Sequence, residues 1–136
     1  AIFLMDLKSR KLVFTSVIGE KAEVLADCEM PPGGSIAEAV FASGEPELIA
    51  DAQMDRRHNT TVDLGTGFRT RSMLVVPLKL LGEEPIGVLE VLNKRSGTFN
   101  QGDLQLLTAF STLLTAAIEH TRLYREQASQ AEQLAN

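Results

Sequence analysis

An α+β fold, with an antiparallel sheet covered on both faces, is what three stretches of this sequence predict. Ser72 to Lys94 holds two aliphatic runs, Met73 to Leu81 and Ile86 to Leu92, on either side of Gly82-Glu83-Glu84-Pro85. Two such runs around a Gly/Glu/Pro turn make an antiparallel hairpin. Neither run alternates apolar with polar residues, so the hairpin is expected in the middle of a sheet between other layers. The N-terminal third carries short strand-like runs ended by polar turns, and from Gln101 to about Gln133 nothing breaks a helix.

Taken in order, Ala1 to Asp6 and Leu12 to Ile18 read as a first hairpin, with Ala22 to Glu29 as a weaker third strand. Pro31-Pro32-Gly33-Gly34 stops regular structure. Ser35 is a good N-cap with Glu38 three residues on, so a helix should run to Ser43 and end at Gly44. Glu45-Pro46 forces an extended exit into a short edge strand at Glu47 to Ala50. Asp51 to Thr70 is polar and aperiodic, a functional loop or lid with a short helical turn. Pro77 should sit where its missing N–H costs no ladder bond. Glu90, inside Gly-Val-Leu-Glu-Val-Leu, must reach the rim or serve a pocket, because an unpaired buried charge is costly. In the last helix Leu107, Phe110, Leu114, Ala117, Thr121, Tyr124, Ala128 and Ala131 form a heptad stripe, with Leu106 and Leu113 on its flank. Its first half is expected on the sheet; its second half exits and needs a partner.

Composition narrows the function. The chain has 136 residues, enough for one domain with a real core. Net charge is -5, from 13 basic and 18 acidic residues, which argues against a nucleic-acid-binding face. A single cysteine, Cys28, forbids an intrachain disulfide and favours a reducing, cytoplasmic setting. No apolar run reaches bilayer length, so no membrane contact is expected from this segment. His58 and His120 share no metal-ligand spacing, and Asp51, Asp55 and His58 read as loop residues before they read as a metal cluster. No hydrolase dyad, nucleophile elbow or phosphate-binding lysine motif appears, so no catalytic residue or metal is assigned.

Two motifs identify a family. Val62 to Leu74, Val-Asp-Leu-Gly-Thr-Gly-Phe-Arg-Thr-Arg-Ser-Met-Leu, resembles the loop-to-strand segment of the GAF domains of phosphodiesterases and bacterial adenylyl cyclases. Asn93, Lys94, Phe99 and Asp103 resemble the Asn-Lys…Phe…Asp-Glu signature of that branch, with Leu104 in place of the final acid. The resemblance covers residues 1–136 as one domain, lacks the family's N-terminal helix, and leaves 120–136 as an exiting signalling helix. It implies a GAF-like central antiparallel β-sheet with helices on one face and a ligand pocket on the other. It also implies a regulatory sensor rather than an enzyme. The enzymes known on this fold reduce free methionine sulfoxide with several cysteines, which a lone Cys28 cannot supply.

The same resemblance assigns ligand-binding residues. Gly33-Gly34-Ser35 opens a helix whose free N–H groups suit an anion, and Ile36 and Ala37 match the residues that lie against a cyclic phosphate. Ser35 and Glu38 stand where the family usually has glycine. Asp63, Thr66 and Thr70 match residues that bond a ribose, phosphate or purine edge; loop self-capping explains the same residue types. Glu90 would face the pocket and accept from a base N–H. The implied effector is cAMP or cGMP. Lys94 and Asp103 are expected to form a structural ion pair over Phe99. The implied partners are this effector, a second copy through the last helix, and a neighbouring effector domain. A ligand-free dimerisation or spacer module is the competing reading.

Overall fold

The computed structural model describes residues 2–6, 11–16, 36–57 and 70–135. The expected third strand at Ala22 to Glu29 and the Ser35 cap lie outside them. β1 (Ile2–Asp6) and β2 (Lys11–Ser16) form the first hairpin, followed by α1 (Ile36–Ser43) and the edge strand β3 (Glu47–Ile49). A 3-10 turn at Ala52–Met54 comes next, then β4 (Met73–Leu78), β5 (Gly87–Leu92) and the long helix α2 (Gln101–Ala135). The strands make one antiparallel sheet in the order β2-β1-β5-β4-β3.

Every residue of β4 is buried, because the sheet has a helix on each face. On one side Leu74, Val76, Leu78 and Leu89 pack beneath Leu104, Leu107, Leu114 and Ile118 of α2. On the other, Phe3, Met73, Val75 and Val88 meet Ile36, Ala37 and Val40 of α1 and Ala52 of the 3-10 turn. The alternation of side chains along each strand turns one apolar run into two cores. Pro77 lies past the end of β3, which reaches only to Val75. Local chemistry sets the ends. Gly44 adopts φ +72° and donates to the Val40 carbonyl at 2.9 Å, closing α1. Gly82, at φ +79°, makes the hairpin turn in which Glu83 N–H bonds the Leu80 carbonyl at 3.0 Å.

The single stripe expected along the last helix is two stripes. Leu107 and Leu114 are half-buried on the sheet beside Leu104 and Ile118, whereas Phe110 is 54% exposed and Tyr124 is 68% exposed. Leu106 and Leu113 join that outward line, at 74% and 72% exposure. Apolar residues spaced three and four apart follow a 3.5-residue period, and the helix turns every 3.6, so such a line drifts across the surface. Two adjacent lines therefore look like one in the sequence. From Thr121 to Leu134 every residue is exposed, on a helix about 52 Å long.

Gly87 pairs with Leu4 on one side and Leu78 on the other. A Cβ there would collide with the Phe3 carbonyl oxygen. Gly87→Ala is therefore expected to separate β1 from β5 and cost about 2 kcal/mol or more, read as a lowered midpoint in chemical denaturation. An unchanged midpoint would contradict the close strand approach.

Candidate functional site

The α1 face of the sheet carries the candidate site. Ile36 and Ala37 are 2% and 1% exposed, and their side chains belong to the apolar cluster under α1. What they can offer a ligand is the first-turn backbone, whose N–H groups have no intrahelical acceptor. Glu90 lies opposite Val75 across the β4–β5 ladder and two residues from Val88, so its side chain shares the α1 face with both. It is 7% exposed. Burial pushes its carboxyl up to about 7. A central strand thus carries a group that changes protonation near neutral pH inside a mainly apolar layer.

Thr70, 3% exposed, stands before β4 and is fixed by backbone chemistry. Its carbonyl accepts from Gln53 Nε2 at 2.8 Å, and the next carbonyl, of Arg71, accepts from Ala52 N–H at 2.6 Å. The 3-10 turn between Ala52 and Met54 is itself capped by Asp51, whose Oδ1 accepts from Gln53 N–H at 3.0 Å. The two ends of the segment from Asp51 to Thr70 are thereby held together. Asp63 and Thr66 lie outside the described residues. Ile36, Ala37 and Glu90 share one face of the sheet, and Thr70 adjoins the end of β4 next to it.

Arg57 was not singled out by the sequence. Its guanidinium bonds both oxygens of Glu47 on β3 at 2.6 Å and both oxygens of Asp55 at 2.8 and 3.0 Å. These carboxylates raise the arginine pKa, through the bonds to Asp55 first and to Glu47 second. Bidentate geometry on two sides pins the chain after the 3-10 turn to the sheet edge. Glu47 and Arg57 are ten residues apart in unlike elements, so no periodicity could pair them.

The Asn-Lys…Phe…Asp motif sits at the other end of β5. Asn93 has φ +54°, donates its N–H to the Ser72 carbonyl at 2.7 Å, and accepts from Arg71 N–H at 2.6 Å. Lys94 Nζ meets Asp103 Oδ2 at 2.6 Å. Asp103 also accepts from Asn100 N–H, and Asn100 Oδ1 accepts from Asp103 N–H, each at 2.9 Å. That reciprocal pair is a capping box at the start of α2. The Lys94 bond and then the Asn100 bond hold the Asp103 carboxyl below its usual range. Phe99 packs with the α2-side core, away from the α1 face. Among the described residues no group of three His, Cys, Asp or Glu could hold a metal ion, and no helix is long and apolar enough to cross a membrane.

Two outcomes follow from these environments. A carboxyl whose folded pKa is raised binds its proton more tightly in the folded chain. Glu90 therefore contributes stability that is full below its unfolded pKa and is lost as pH rises to about 7. Glu90→Gln should flatten the fall in denaturation midpoint between about pH 4.3 and 7; an identical slope in both proteins would contradict the burial of this carboxyl. Lys94→Ala should lower the midpoint of chemical denaturation by loosening the capping box, and an unchanged midpoint would show that the pair holds nothing.

The GAF domain family profile matches residues 1–118. The chain is 32% identical over 108 residues to the dual 3',5'-cyclic-AMP and -GMP phosphodiesterase 11 of Drosophila melanogaster, a match covering 79% of this chain and 7% of that protein. Among solved structures it resembles the GAF domain of a phosphoenolpyruvate-protein phosphotransferase from Coxiella burnetii, with TM-score 0.80 and 21% identity over 92% of this chain and 73% of that one. It also resembles the free methionine-R-sulfoxide reductase of Neisseria meningitidis, solved with its substrate, with TM-score 0.72 and 26% identity over 91% and 68%. Sheet order, motif and family match agree: the chain belongs to the GAF domain family.

Proposed function

We propose that this GAF domain is a sensor that binds a cyclic nucleotide, cAMP or cGMP, on the α1 face and is not itself catalytic. The observation that carries the reading is Glu90. A carboxyl in a central strand, 7% exposed and on the same face as Ile36 and Ala37, is a poor choice for a purely structural core. It is a good choice for reading the N–H groups of a base. The N–H groups opening α1 suit the phosphate, and Thr70, Asp63 and Thr66 supply hydroxyl and carboxylate partners. The name of the Drosophila relative, which joins cyclic AMP and cyclic GMP, points to the same ligand class. The likeness to a methionine sulfoxide reductase does not carry over, since Cys28 is the single cysteine of this sequence and a thiol relay needs a second.

In this reading the domain works in the cytoplasm beside an effector domain, and ligand occupancy passes along α2. Homodimerisation through α2 completes the arrangement. The outward line of Leu106, Phe110 and Leu113 is the observation that favours it, and equally favours the competing reading of a ligand-free spacer. Calorimetry separates the two. The unmodified chain should bind cAMP or cGMP, and Thr70→Ala and Asp63→Ala should each weaken binding by about 1.5–3 kcal/mol, the loss of a hydrogen bond to a charged group. Absence of binding by both nucleotides, or unchanged affinity in both variants, would overturn the pocket assignment.

A further inference from the structure

The outward line of α2 includes a histidine. Leu106, Phe110, Leu113, Ala117, His120 and Tyr124 recur at steps of four and three and are all exposed, and the same spacing runs on to Leu134. Between Leu104 and Ala135 the acidic and basic residues are Glu119, Arg122, Arg125, Glu126 and Glu132. In heptad terms all of them fall outside the line and outside the positions that flank it. A partner of contrary charge would find nothing to read on this face. A second copy of the same uncharged face matches it along its whole length. Parallel, in-register pairing of two such helices sets each His120 against its mate.

We propose that α2 pairs with a second copy along this line, with the two His120 side chains in the seam, and that mild acid loosens the pair by charging them. The inference rests on the dimer of the proposed function and adds its control. Imidazole changes charge between pH 5 and 8, and two imidazolium ions in a water-poor seam repel. Glu119 and Arg122, off the seam, face each other at 3.4 Å. His120 is exposed, and among the described residues no other element covers it. Across the seam the facing titratable groups are the second copy's own His120 and Tyr124.

Sedimentation at pH 8 and pH 6 tests this. The unmodified chain should dimerise at pH 8 and show a dissociation constant about tenfold higher at pH 6, because imidazole gains charge in that range. His120→Leu should dimerise more tightly and equally at both pH values. Glu90 is retained in that variant, so a shift that survives in His120→Leu has another source and overturns the inference. A dimer indifferent to pH overturns it too, while leaving the dimer itself standing. A chain monomeric at pH 8 and high concentration overturns the dimer reading and this inference together. In a Cys28→Ser background, His120→Cys should cross-link between copies on oxidation and Glu126→Cys should not; the reverse result would put the seam on another face.

Discussion

A hairpin that is apolar on both faces governs this structure. β4 and the first half of β5 have no side that tolerates water, so each face needs its own cover. α2 covers one and α1 with the 3-10 turn covers the other. The remaining strands extend the sheet around that pair in the order β2-β1-β5-β4-β3. Gly87 shows how tightly the centre is set, since the backbone of β1 passes where any larger residue would place its first carbon. Against this background a charged residue in β5 is conspicuous. Glu90 occupies a position that would otherwise hold another valine or leucine, and its burial moves its protonation to near neutral pH.

The two faces of the sheet divide the work. The α1 face gathers Ile36, Ala37 and Glu90, with Thr70 held at its edge by Gln53. The α2 face is closed by apolar contacts as far as Ile118 and leaves the rest of the helix bare. β5 belongs to both. Four residues after Glu90 the chain reaches Lys94, whose ion pair with Asp103 joins the strand to the capping box of α2. A shift at Glu90 thus has a short covalent and ionic route to the start of the long helix. Arg57 fixes the other border, tying the segment after the 3-10 turn to β3 through Glu47.

Much of this was legible in the residues. The hairpin, the end of α1 at Gly44, the short edge strand and the length of the last helix follow from turn chemistry, capping and aliphatic runs. Those signals are local, and local signals survive in a sequence. The facing of the last helix did not survive, because Leu107 and Phe110 sit three apart yet belong to different lines. Only contact with the sheet separates them. The Arg57 clamp joins elements whose proximity is a product of the fold, so no spacing announces it. Glu90 was legible as an anomaly, but its face became definite only through its register with Val75. The motif at Asn93, Lys94, Phe99 and Asp103 was legible by resemblance, and the reciprocal cap from Asn100 gives that motif its physical content.

The central claim is that a small molecule is read on the α1 face and felt along α2. Backbone amide chemical shifts, followed by NMR as cAMP or cGMP is titrated into the chain, test it most directly. The account predicts the largest shifts at Ile36, Ala37, Thr70 and Glu90, with smaller ones at Lys94 and in the first turns of α2. Shifts confined to the exposed half of α2, or none at saturating nucleotide, would contradict it.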